Sequence, residues 1–126
     1  MSRGVLLTFA FVAAGSNMAG SKGAPADAVR AAFSMLEGNE IQVVNRSSLY
    51  ASTAWPNPAD PEFVNAVAQI ETVLAPPALL ARLHEIEAVF GRVRREINAP
   101  RTLDLDIVDY GGLVSALGGL LLSVEI

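Results

Sequence analysis

The chain has no cysteine. Disulfides, thiolate metal sites and a cysteine nucleophile are therefore excluded, and a reducing compartment, the cytoplasm, is the simplest setting. It has one histidine, His84. A Ser-His-Asp triad or a multi-histidine metal centre would have to be built on that single imidazole, which argues against both. Positive charge is also scarce: 9 Lys and Arg against 13 Asp and Glu give a formal net charge of −4, so the broad basic footprint of a nucleic-acid binder is missing. No apolar run reaches the ~20 residues that a membrane-spanning helix needs. The length, 126 residues, is that of one domain built on one core.

The apolar run from Val5 to Ala14, preceded by Arg3 and followed by small residues, has two readings. It fits a secretory signal peptide, which would leave a small secreted domain. It also fits a buried first strand, being rich in strand-forming residues and halted by the turn-forming triplet Gly15-Ser16-Asn17. The strand is the favoured expectation.

Beyond a glycine-rich turn from Gly15 to Gly23, Pro25 suits a first helical turn, and Val29, Ala32, Phe33 and Leu36 recur at helical spacing until Gly38-Asn39. Ile41, Val43 and the segment Ser47 to Tyr50 predict a second strand, followed by a loop around Pro56, Pro58 and Pro61, and Phe63 to Val73 predicts a third. Pro76 and Pro77 open a second helix with Leu79, Leu80, Leu83, Ile86 and Phe90 as its apolar stripe, ended by Gly91. A basic loop from Arg92 to Pro100 leads into a strand from Thr102 to Val108. The order βαββαβ is that of an α+β ferredoxin-like sandwich, an antiparallel sheet with its helices on one face. Residues 1–112 are expected to form this domain. Residues 113–126 form an apolar tail, for which an extra edge strand or simple packing is the plain expectation.

The fourth strand carries the most specific chemistry. Alternation in Thr102-Leu103-Asp104-Leu105-Asp106-Ile107 places the apolar residues on one face and both aspartates on the other. The carboxylates are then neighbours about 7 Å apart at Cβ, two strand steps of roughly 3.3 Å. Such a pair is either well solvated or neutralised by a cation, and hard oxygen ligands suit Mg²⁺. A short Asp-x-Asp is common on solvent-facing strands. However, five of the nine Lys and Arg residues lie between Arg82 and Arg101. Carboxylates beside arginines are what a polyphosphate site requires, although a solvated loop explains the arginines equally well.

The stretch Pro100-Arg101-Thr102-Leu103-Asp104-Leu105-Asp106-Ile107 resembles the signature of the 6-hydroxymethyl-7,8-dihydropterin pyrophosphokinase family. Further similarities follow in chain order: Gly15-Ser16-Asn17, Ser47 to Tyr50, Phe63-Val64-Asn65-Ala66, Ile86-Glu87 and Gly91-Arg92-Val93-Arg94. The resemblance covers roughly Val5 to Gly112. It implies transfer of the terminal diphosphate of ATP to the pterin hydroxymethyl oxygen, giving AMP, in folate biosynthesis with two magnesium ions.

By the same resemblance Asp104 and Asp106 ligate the metal, Arg92 and Arg94 close over the phosphates, and Arg101 orients the diphosphate. Asn65 hydrogen-bonds the pterin, Phe63 stacks on it, and backbone near Ser52 and Trp55 lines its edge. His84 and Glu87, at i, i+3 on one helix face, point to the nucleotide together with Ile107; a surface salt bridge is the competing reading of the first two. The partners implied are ATP and a hydroxymethyl-dihydropterin, with no nucleic acid or membrane, and the protein is expected to be a monomer. Two departures stand out: Ala51-Ser52-Thr53 replaces the family's Arg-Thr-Pro run, and the apolar Gly111 to Ile126 replaces a Pro-His segment with later Arg and Phe contacts. A pocket open on one side, or a non-catalytic ferredoxin-like module binding a ligand or partner strand, is the alternative these departures raise.

Overall fold

Along β1 (Thr8–Ser16), Ala10, Val12 and Ala14 are buried while Phe9 is exposed, the two-residue period of a strand with one face on a core. This is seen in a computed structural model that describes residues 7–17, 23–52, 62–91, 103–111 and 113–114. The strand continues through Gly15 and Ser16, where the sequence predicts a turn. Gly15 pairs with Asn65 on one side and Asp104 on the other, and Ser16 pairs with Val64. Being hydrogen-bonded into ladders overrides the local turn preference of Gly-Ser.

Helix α1 (Pro25–Leu36) starts on its proline and buries Val29, Ala32, Phe33 and Leu36. Helix α2 (Pro76–Val89) likewise opens on prolines and buries Leu79, Leu83 and Ile86, with Phe90 buried just beyond. Gly91, at φ 84°, adopts the left-handed conformation that closes a helix and that a side chain disfavours. Both stripes follow the predicted spacing, except that Leu80 is only partly buried. Glu87, buried in the same face of α2, is an addition to them.

The predicted second strand is in two pieces, β2 (Ile41–Arg46) and β3 (Tyr50–Ser52), both paired with β4 (Phe63–Thr72). A register shift falls between Val43 and Asn45. Between the pieces, Ser47 N–H donates to Val67 O at 2.8 Å, and Ser47 Oγ accepts from Val67 N–H at 2.8 Å. A hydroxyl thus takes the place of a strand carbonyl, and the ladder breaks there without leaving Val67 unpaired.

β5 (Asp104–Tyr110) lies on the far side of β1, and β6 (Leu113–Val114) pairs with its end. The sheet order is β2-β4-β1-β5-β6, with β3 on β4 and each of these pairings antiparallel. The first and second βαβ units therefore interleave, each with the other's strand between its own, which is the ferredoxin-like α+β sandwich expected from the element order. β6 adds an edge strand to it, and residues 115–126 lie outside those described. No helix among the described residues is long and apolar enough to cross a membrane. Helices and core occupy one face: Val12, Ala68, Ile70, Leu103 and Leu105 meet Phe33, Leu36, Leu79 and Leu83 in one buried cluster. The other face carries the chemistry.

Candidate active site

The sheet face opposite the helices is organised in rows that cross β4, β1 and β5. In the first row Asn65, Gly15 and Asp104 are paired neighbours; in the next, Val67, Ala13 and Asp106. With strands about 4.8 Å apart, Asn65 and Asp104 stand roughly 10 Å from each other across Gly15. The middle strand contributes only a hydrogen and a methyl group, so the two rows form a trough with Gly15 and Ala13 as its floor. Glycine inside a strand commonly marks such a close approach.

On the β4 side, Asn65 is held by the chain. Its Nδ2 donates to Ser52 Oγ at 2.8 Å, with longer contacts to Tyr50 O and Phe63 O at 3.4 and 3.5 Å. Its Oδ1 lies over Gly15, 2.9 Å from where a Cβ would stand, and Phe63 Cδ1 lies 3.5 Å from the same point. The amide donor is thereby committed to the strand pair β3–β4, and the carbonyl end is brought over the floor of the trough. Phe63, partly buried, closes that end with an aromatic ring. Ser52, near which backbone is expected to line the pterin edge, directs its hydroxyl to Asn65.

On the β5 side, Leu103, Leu105 and Ile107 are buried and Asp104 and Asp106 face the other way, Asp104 half-buried and Asp106 exposed. The alternation read from the sequence is present. Among the described residues no cluster of three or more metal-ligating side chains occurs. Two hard carboxylates at one edge of an open trough nevertheless suit Mg²⁺, which keeps several waters and takes one or two protein carboxylates plus phosphate oxygens.

His84 and Glu87 part company in the structure. His84 is exposed on α2, whereas Glu87 is 1% exposed and its Oε2 accepts the Leu105 N–H at 2.7 Å. The Ile107 side chain is in the core, which leaves its main chain for any ligand contact. Trp55, Arg92, Arg94 and Arg101 lie outside the described residues. Sequence reasoning passed over Gly15 and Ala13 as a floor; the glycine within an otherwise strand-like run was the signal for it.

The family model "7,8-dihydro-6-hydroxymethylpterin-pyrophosphokinase (HPPK)" matches residues 11–124. A 2-amino-4-hydroxy-6-hydroxymethyldihydropteridine pyrophosphokinase from Pseudomonas putida is 45% identical over 106 residues, covering 83% of this chain and 84% of that protein. Proteins of the same name from Pseudomonas aeruginosa and Haemophilus influenzae are 46% and 41% identical, each over 103 residues. Those matches cover 80% and 81% of this chain but 60% and 62% of the relatives' own length. The chain belongs to the 7,8-dihydro-6-hydroxymethylpterin-pyrophosphokinase family.

Proposed function

We propose that the chain transfers diphosphate from ATP to the hydroxymethyl group of 6-hydroxymethyl-7,8-dihydropterin, in folate synthesis and in the cytoplasm. The observation that carries this reading is the pairing register: Asn65 and Phe63 on β4, Asp104 and Asp106 on β5, and Gly15 between them, with the Asn65 carboxamide lying over it. A flat heterocycle fits a slot whose floor is glycine and whose bank offers a held carboxamide and an aromatic ring. A polyphosphate fits the opposite bank.

In the reaction the pterin hydroxymethyl oxygen attacks the β-phosphorus of ATP. The bond from that phosphorus to the α,β-bridging oxygen breaks, AMP leaves with the bridging oxygen, and the hydroxyl proton is released. Asp104 and Asp106 would hold magnesium, two ions by the family resemblance, and when bound the metal would neutralise phosphate charge. Asn65 and Phe63 orient the pterin so that its hydroxymethyl group points at the aspartate bank. Arg92 and Arg94 would close on the phosphates, Arg101 would orient the diphosphate, and guanidinium pairs would stabilise charge on the leaving AMP. His84, exposed on α2, and the main chain of Ile107 would meet the nucleotide. No residue is required as a base, because alignment of the hydroxyl with the phosphorus supplies much of the rate enhancement.

The test is release of AMP from ATP and hydroxymethyl-dihydropterin in the presence of Mg²⁺. Stoichiometric AMP and pterin diphosphate are expected. Folded protein that binds the pterin yet releases no AMP would leave a ligand-binding role in place of the transferase.

A further inference from the structure

Glu87 is buried in the core face of α2. In α2 it follows Ile86 and lies four residues beyond Leu83, both core residues, so the helix turns its carboxylate inward. A carboxylate in such a place must be met by donors. One of them is the Leu105 N–H, which donates to Glu87 Oε2 at 2.7 Å in a buried setting.

Leu105 lies between Asp104 and Asp106. On its inner side β5 is paired with β1, Ala14 opposite Leu105. On its outer side β6 reaches only Asp109 and Tyr110. Among the described residues, then, no strand borders β5 at Leu105, and the Glu87 carboxylate occupies the position that a neighbouring strand's carbonyl would take. The peptide it holds is the one that joins Asp104 to Leu105, one residue before Asp106. Fixing that peptide fixes the directions in which the two aspartate side chains leave the strand, since alternate residues of a pleated strand move together.

We propose that Glu87 is a positioning residue for the reaction: by accepting the Leu105 N–H it sets the aim of Asp104 and Asp106, and it acts as a hydrogen-bond acceptor rather than as a nucleotide ligand. The proposal rests on the reading of those two aspartates as the magnesium-holding pair. It departs from the nucleotide contact that the family resemblance implies for Glu87.

Three substitutions in the full chain separate the roles, read out as the Mg²⁺ concentration for half-maximal AMP release and as the KM values for ATP and pterin at saturating Mg²⁺. Glu87→Ala removes the acceptor. Glu87→Gln keeps an oxygen at the same reach but no charge, and Glu87→Asp keeps the charge but is one methylene short. Partners that orient metal ligands typically contribute about 10–100-fold in metal affinity or activity, so Glu87→Ala and Glu87→Asp are expected to raise the Mg²⁺ requirement about tenfold or more. Glu87→Gln is expected to restore it to within about threefold of the wild type, with both KM values at saturating Mg²⁺ little changed in all three proteins. The reverse order, Asp active and Gln impaired, would show that charge rather than the hydrogen bond matters and would overturn the proposal. So would a selective rise in KM for ATP in Glu87→Gln, the mark of a nucleotide contact. Because the Gln and Asp variants change no more than one atom type or one methylene, the comparison stands even if Glu87→Ala does not fold. The underlying reading is tested separately by Asp104→Ala: an unchanged Mg²⁺ requirement there would remove the metal pair, and the positioning role with it.

Discussion

Gly15 and Asn65 face each other across the β1–β4 ladder so closely that position 15 has no room for a side chain: a Cβ there would lie 2.9 Å from Asn65 Oδ1. The atom it would meet is the end of a side chain, so the carboxamide would swing aside while the backbone stays. Gly15→Ala is therefore expected to fold normally and to weaken pterin binding by about 1–2 kcal/mol, roughly five- to thirtyfold, the scale of a lost buried hydrogen bond. Titration of the pterin with the variant checks this. Nucleotide binding in the presence of Mg²⁺ should be unaffected, and an equal loss for both ligands would contradict a pterin-side role.

Ser52 holds the same carboxamide from β3, its Oγ accepting the Asn65 Nδ2 proton at 2.8 Å. Removing that hydroxyl frees Asn65 without deleting it. Ser52→Ala should raise KM for the pterin by roughly fivefold, about 1 kcal/mol, and Asn65→Ala should cost more. If Ser52→Ala is the more damaging of the two, Ser52 itself touches the substrate.

Phe33, on the core face of α1, is with Phe90 among the largest fully buried side chains of the described residues, and it also lies beneath the Arg46 guanidinium, 5.8 Å from ring centroid to Cζ. Truncating it removes core volume and that platform together. Phe33→Ala is expected to lower the free energy of unfolding by about 3–5 kcal/mol, read as a shift of the urea midpoint at constant slope. A loss below about 1 kcal/mol would mean that the core collapses around the gap far more readily than sites of this kind do.

Much of this arrangement is legible in the chain because it rests on short-range regularities. Leu103, Leu105 and Ile107 alternate with Asp104 and Asp106 within six residues, and burial follows that alternation. The stripes of α1 and α2 are bracketed by prolines at their starts, and Gly91 ends the second. What escaped the sequence depends on partners distant in the chain. The break between β2 and β3 occurs because the Ser47 hydroxyl finds the Val67 N–H, 20 residues away. Gly15 and Ser16 look like a turn and form a strand because β4 lies alongside both and β5 alongside Gly15. Glu87 looks like a surface carboxylate from its residue type, and it is buried because a backbone donor 18 residues on awaits it. The trough is a product of pairing register, which sets Asn65 and Asp104 on either side of a glycine that no local pattern connects to them.

In the proposed mechanism Asp104 and Asp106 together hold the divalent cation that brings the nucleotide to the trough. Calorimetric titration of a non-hydrolysable ATP analogue, with and without Mg²⁺, into wild-type protein and into Asp104→Ala tests it most directly. The account predicts binding that requires Mg²⁺ in the wild type and weakens by roughly 100-fold or more, about 2.7 kcal/mol, in the variant. Equal, Mg²⁺-independent binding by both proteins would contradict it.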